Sequence, residues 1–163
     1  PDPLISEFIE EQQENNKLSF IVDKIIAICL QSFTKTAFEI KEGDLKKVLD
    51  KVRKLFCEEE MMLEIQPPVT IFGDIHGHFE DLKTMLIDIG FLNSENNLLF
   101  LGNYTNLGNS SIETLTLLFA LKLKYPKRVS MLRGNHECPI MTKMYGLQEE
   151  CNVMYLHRHY KGI

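Results

Sequence analysis

The stretch Val69-Thr70-Ile71-Phe72-Gly73-Asp74-Ile75-His76-Gly77 decides how this chain folds. Its first four residues, rich in β-branched and aromatic side chains, predict a buried strand. The turn after them is closed by two glycines and presents a carboxylate and an imidazole two positions apart. The same plan recurs at Leu98-Leu99-Phe100-Leu101-Gly102-Asn103 and at Val129-Ser130-Met131-Leu132-Arg133-Gly134-Asn135-His136-Glu137. Each apolar run ends in glycine followed by Asp or Asn. In an open α/β sheet, ligands sit beyond the carboxyl ends of the strands, so the three tips are expected to converge on one site.

Between the strands, Phe79, Leu82, Met85, Leu86 and Ile89 recur at helical spacing up to Gly90. Ser110-x-x-Glu113 has the form of a capping box opening a long helix through Leu115, Leu118, Phe119 and Leu123, ended by Tyr125-Pro126. A short helix is expected over Ile140–Met144, and Cys151–Tyr160 is only loosely patterned. Upstream, Leu18–Gln31 reads as an amphipathic helix. Asp44 is the expected N-cap of a second, carried by Leu45, Val48, Leu49, Val52, Leu55 and Phe56. Residues 1–17 are polar and acidic, and suit either a solvated tail or a short helix around Leu4–Glu11. The fold class is therefore α/β: β-α-β-α-β with parallel strands, preceded by two helices, in one domain over residues 18–163. Three strands ending at Leu132 leave an open edge and a poorly covered flank.

A chain of 163 residues can bury one real core. With net charge −5 there is no electrostatic case for nucleic acid or an anionic membrane as main partner. No apolar run approaches the ~20 residues that span a bilayer. Cys29, Cys57, Cys138 and Cys151 form no C-x-x-C pair. Cys29 and Cys57 are expected in or near the core as reduced thiols of an intracellular protein, cytoplasmic or nuclear.

Asp74 and His76 can address one ion together, and Mn, Fe and Zn accept that donor pair. Asn135 can ligate a metal through its amide oxygen, and His136 is placed to donate a proton. Glu137 can accept hydrogen bonds from groups around the site or start a helix. Arg133 can clamp a phosphate oxygen or pair with a carboxylate. His157 and His159 read as surface histidines.

Gly73-Asp74-Ile75-His76-Gly77, Gly102-Asn103-Tyr104-Thr105-Asn106-Leu107-Gly108 and Leu132-Arg133-Gly134-Asn135-His136-Glu137-Cys138 resemble the three ordered signatures of the metal-dependent Ser/Thr protein phosphatases. The likeness is greatest to type-1 catalytic subunits. It runs from about Leu18 to Cys151 and includes Tyr145-Gly146 and Glu149-Glu150-Cys151. The resemblance implies a metallophosphoesterase-like half-sandwich, incomplete at its C-terminus. It implies two divalent metals (Mn, Fe or Zn) and hydrolysis of phosphoserine and phosphothreonine by a metal-bridging hydroxide. Carried over by position, Asp74 and His76 would bind the first metal, Asn135 the second, and Asn103 would stand at the bridge. His136 would be the general acid and Tyr145 would lie near the substrate cleft. The implied partners are phosphoprotein substrates or phosphatase regulatory subunits.

The middle signature departs from the family's Gly-Asp-x-x-Asp-Arg-Gly. Asn103 replaces the carboxylate that would bridge two dications, and carries no charge. Asn106 replaces the Asp that would accept a hydrogen bond from the imidazole and stabilise its charged form. Leu107 replaces the Arg that would hold phosphate oxygens bidentately. One such loss typically costs about 3 kcal/mol of transition-state stabilisation, and losses within one site do not simply add. Three expectations follow: a family member with impaired catalysis, an atypical working phosphatase completed by sequence beyond Ile163, or a non-catalytic interaction module.

Overall fold

The computed structural model describes the backbone over residues 3–31 and 40–160, with side chains over residues 12–30 and 40–154. In chain order the elements are α1 (Pro3–Gln31), α2 (Glu42–Glu58), β1 (Val69–Phe72), α3 (Phe79–Asp88), a 3-10 turn (Phe91–Asn93), β2 (Asn97–Phe100), α4 (Ser111–Lys124), β3 (Val129–Met131), α5 (Pro139–Met144) and α6 (Leu147–Tyr160). The strands form one parallel sheet in the order β1-β2-β3. Ile71 lies opposite Leu99 and Leu99 opposite Ser130, so the three tips finish side by side. The expected β-α-β-α-β plan is present.

Alternation divides the sheet into two unlike faces. Phe72, Leu98, Phe100 and Val129 point into the core, with the rings of Phe72 and Phe100 stacked 4.6 Å apart. They meet Val22, Ile25, Ile26 and Cys29 of α1, Leu82 and Leu86 of α3, and Leu117, Leu118 and Leu121 of α4. α4 is apolar on most sides and accordingly sits at the centre, packed against both α1 and α2. Val69 and Ile71 face the other way and are exposed, so β1 is buried on one face only, in keeping with the poorly covered flank expected of three strands. No layer among the described residues covers that face.

Several local expectations are corrected. α1 begins at Pro3, not Leu18; Glu, Gln and Lys in the polar segment are good helix formers, and the described side chains of residues 12–17 are solvent-exposed. α2 begins at Glu42 with Lys41 at the N-cap, which leaves Asp44 inside the first turn, where the helix dipole favours a carboxylate. Ser110 is the N-cap of α4 but makes no side-chain cap. Glu150 of α6 takes that role, accepting the N–H groups of Ser111 (3.1 Å) and Ile112 (2.8 Å). α6 itself was hidden behind its weak apolar pattern. Cys29 is buried as expected, but Cys57 is exposed at the end of α2. The side chains of His157 and His159 lie outside the described residues.

Lys122 is fully buried on α4. Its ammonium is ion-paired with Glu59 and donates to the carbonyls of Pro126 (3.0 Å) and Val129 (2.7 Å), which stitches the end of α2 to the start of β3. A buried ammonium is tolerated only with such a full set of acceptors.

Candidate functional site

The loop after β1 is zipped to the loop after β2 by backbone bonds. Ile75 and His76 both donate to the Asn103 carbonyl (3.0 and 2.8 Å), and Gly77 donates to that of Tyr104 (2.8 Å). Gly108 closes the turn by donating to His76 (2.8 Å). The path is tight enough to hold His76, Asn103, Asn106 and Leu107 in the left-handed region, φ +48°, +56°, +70° and +67°. Asn tolerates that region well, and Leu does not. Gly134 packs so closely on Asn103 that a Cβ there would meet the Asn103 side chain.

Glu137 joins the third loop to the second. Oε2 accepts the N–H of Asn103 (2.7 Å) and of Gly134 (2.9 Å), and Oε1 accepts that of Tyr104 (2.9 Å). It is thus an acceptor of backbone N–H groups and not a helix-start residue, since α5 begins at Pro139. The buried Tyr104 hydroxyl donates to the Leu132 carbonyl (2.6 Å), and burial, aided by the Glu137 carboxylate, pushes its pKa up. Arg133 donates its Nε to the Glu137 backbone carbonyl (3.0 Å), and its side chain is exposed.

At the centre, Asn103 lies between the first and third loops. Its Nδ2 donates to Asp74 Oδ2 (3.2 Å) and its Oδ1 accepts the N–H of His136 (3.0 Å). The reverse orientation of the amide would set two donors against each other and two acceptors likewise, so the partners fix it. His76 Nδ1 donates to the Thr105 carbonyl (3.0 Å), which leaves Nε2 facing Asp74 Oδ2 at 3.3 Å. Asn135 is exposed and one residue from the His136 N–H that Asn103 holds. Asp74, His76, Asn103, Asn135 and His136 therefore belong to one cluster of loop ends.

His136 stacks edge-on to His76, ring centroids 4.6 Å apart, and lies 5.5 Å from the Tyr145 ring. The amide of Asn106 is 3.4 Å from its Nδ1. Asn106 Oδ1 accepts the N–H of Leu147 (3.3 Å), so it is the NH2 that faces the imidazole. An acceptor would hold a proton on Nδ1; this donor instead leaves Nδ1 as the acceptor, with the ring proton on Nε2. Leu107 projects into solvent and meets the Tyr145 carbonyl only through its own N–H (3.2 Å).

Three contributors escape inspection of the sequence. Thr105 acts through its backbone carbonyl, which no residue type announces. Ser111 accepts the buried N–H of Asn106 through its hydroxyl (3.2 Å), and Glu150 reaches α4 from a helix 38 residues downstream.

The donor set can be tested against the divalent ions the three signatures imply. Asp74 Oδ2 and His76 Nε2, with the opposite ring nitrogen tied to a carbonyl, make two donors of a kind Mn, Fe or Zn accepts. The set ends there. Among the described residues no three His, Cys, Asp or Glu side chains gather at one point. Asn103 turns an NH2 toward Asp74 and has its oxygen engaged by His136. These residues fit part of one cation's shell and do not fit a two-cation centre.

A profile of the calcineurin-like phosphoesterase family matches residues 67–162, which includes all three loops. Serine/threonine-protein phosphatase SIT4 of Candida albicans is 43% identical over 124 residues, 74% of this chain and 40% of its own length. Serine/threonine-protein phosphatase PP1-delta of Caenorhabditis elegans is 41% identical over 116 residues, 71% of this chain and 38% of its own. The chain thus spans about two fifths of the length of these relatives. A solved Saccharomyces cerevisiae serine/threonine phosphatase, described as similar to human phosphatase PP5, superposes with a TM-score of 0.75 at 26% identity, over 85% of this chain and 46% of that one. The chain belongs to the calcineurin-like phosphoesterase family, among its Ser/Thr protein phosphatases.

Proposed function

We infer that this chain keeps the loop scaffold of a Ser/Thr protein phosphatase but has lost most or all of its catalytic power. The observation that carries this is the central amide. Where two dications need a bridging carboxylate, Asn103 supplies a neutral side chain whose NH2 and oxygen are both spent on protein partners. Two further features weigh the same way. The amide NH2 of Asn106 faces the imidazole that would protonate a leaving serine or threonine oxygen, and Leu107 offers phosphate no donor. Any residual partner would be a phosphoprotein or a phosphatase regulatory subunit, bound without turnover. We propose a cytoplasmic or nuclear setting, where four unpaired cysteines would stay reduced.

The test is hydrolysis of a phosphoserine peptide and of nitrophenyl phosphate by the purified chain with and without Mn²⁺. No metal-stimulated turnover is expected. Clear Mn²⁺-dependent turnover that disappears in His136→Ala would reject this function. A second reading, a working phosphatase completed by further sequence, is favoured by one fact: the match covers only 40% and 38% of the length of these relatives. A longer chain carrying Asn103→Asp, Asn106→Asp and Leu107→Arg should then gain orders of magnitude in rate, and an unchanged rate would dispose of that alternative.

A further inference from the structure

We propose that the loop-end centre of this chain is assembled by hydrogen bonds in place of metal ions, with the Asn103 amide as the positioning group that makes cations unnecessary for folding. This goes beyond impaired turnover, since an inactive phosphatase could still need cations to fold. It follows from where each polar group finds its partner. A carboxylate at position 103 would face Asp74 Oδ2, now 3.2 Å from the Asn103 nitrogen, with like charge and no proton between them. Two carboxylates that close repel unless a cation or a shared proton stands between them, whereas the amide meets Asp74 with a donor. Its other end accepts the His136 N–H that opens the third loop, so one neutral side chain spans the gap between first and third loops.

The backbone of the three loops is likewise held by protein partners. Glu137 collects three backbone N–H groups from the second and third loops. The first loop hangs on the Asn103 and Tyr104 carbonyls. His76 Nδ1 is committed to the Thr105 carbonyl, whereas Nε2 and Asp74 Oδ2 are both acceptors, 3.3 Å apart, and the exposed Asp74 carboxylate is left to solvent there and to the Asn103 amide. These backbone contacts do not depend on which side chain stands at position 103, so that one side chain separates a cation-independent centre from one that requires a cation.

The experiment is thermal unfolding of the full chain in EDTA and in millimolar Mn²⁺, beside Asn103→Asp and Asn103→Ala. The wild-type melting temperature is expected to be the same in both media. Asn103→Asp should melt roughly 5 °C lower in EDTA and recover in Mn²⁺, because binding to the folded state alone raises its stability by mass action. Asn103→Ala should lose stability equally in both, having lost the bracket without gaining a ligand. If Asn103→Asp does not fold in EDTA, its refolding on addition of Mn²⁺ supports the proposal equally. A wild-type chain that melts several degrees higher in Mn²⁺, or an Asn103→Asp variant no more responsive than wild type, would overturn the proposal. Either result leaves the activity assay above to stand or fall separately.

Discussion

Replacing Glu137 by glutamine changes one oxygen to NH2 and removes one charge from the residue that ties the second loop to the third. In the native chain Oε2 accepts two N–H groups, at 2.7 and 2.9 Å, and Oε1 a third at 2.9 Å. Charge-assisted bonds of this kind contribute about 1.5–3 kcal/mol each, and neutral ones about 1 kcal/mol. The glutamine oxygen can keep the two bonds to Asn103 and Gly134 in weaker form. Its NH2 then faces the Tyr104 N–H, so the third bond is lost and two donors oppose each other. Glu137 is only partly buried, and water can relieve part of that penalty. The net expectation is a loss of about 3 kcal/mol, a large share of the ~5–15 kcal/mol that holds a domain of this kind together. Urea unfolding with linear extrapolation measures it, and the midpoint should fall without a change in slope. A Glu137→Gln chain within about 0.5 kcal/mol of wild type would refute the view that this carboxylate holds the loops in register.

Other consequences follow from buried groups. Burial first, then the Glu150 carboxylate, raises the pKa of Glu113 above its ordinary 4.5. The folded carboxyl therefore binds its proton more tightly than the unfolded one. Its stabilising contribution is complete below about pH 4.5 and is lost as pH rises through the folded pKa, so the stability difference between wild type and Glu113→Gln should change across that window and level off above it. Burial, aided by Glu113, pushes the Cys29 thiol up to about 12. In the native chain at pH 8 a maleimide should label exposed Cys57 within minutes and Cys29 only after unfolding, as mass spectrometry of digested protein would show. Lys122→Met leaves Glu59 without its buried partner and two carbonyls without a donor, and should cost about 3 kcal/mol in chemical denaturation. A loss below about 1 kcal/mol would mean that solvent reaches Glu59 freely.

What the sequence revealed and what it concealed divide along physical lines. The strand–glycine–Asp/Asn pattern located all three tips, because parallel strands in one sheet bring their carboxyl ends together wherever the crossovers are helical. α4 was legible for the same reason that it is central: its apolar residues are too many to leave in water. The helix ends were harder to read. Ser110 and Glu113 have the spacing of a reciprocal cap, but Glu150 comes from α6 with a carboxylate that accepts two N–H groups at once. A tertiary partner of that kind overrides a local signal and leaves no mark on it. The substitutions at 103, 106 and 107 were visible as changes of charge. The direction in which each amide turns was not, because it depends on the His136 and Leu147 N–H groups that the fold delivers. The composition of β1 records hydrophobicity but not which of its faces finds a neighbour.

A neutral clamp at the junction of three loops leaves little for a cation to hold, and metal stoichiometry tests that most directly. The chain should be purified without chelator from cells supplied with Mn²⁺, Fe²⁺ and Zn²⁺, passed through a desalting column and analysed by inductively coupled plasma mass spectrometry. Two donors from Asp74 and His76 predict well under one divalent ion per chain. Two ions retained per chain, and both lost in Asp74→Ala, would contradict it.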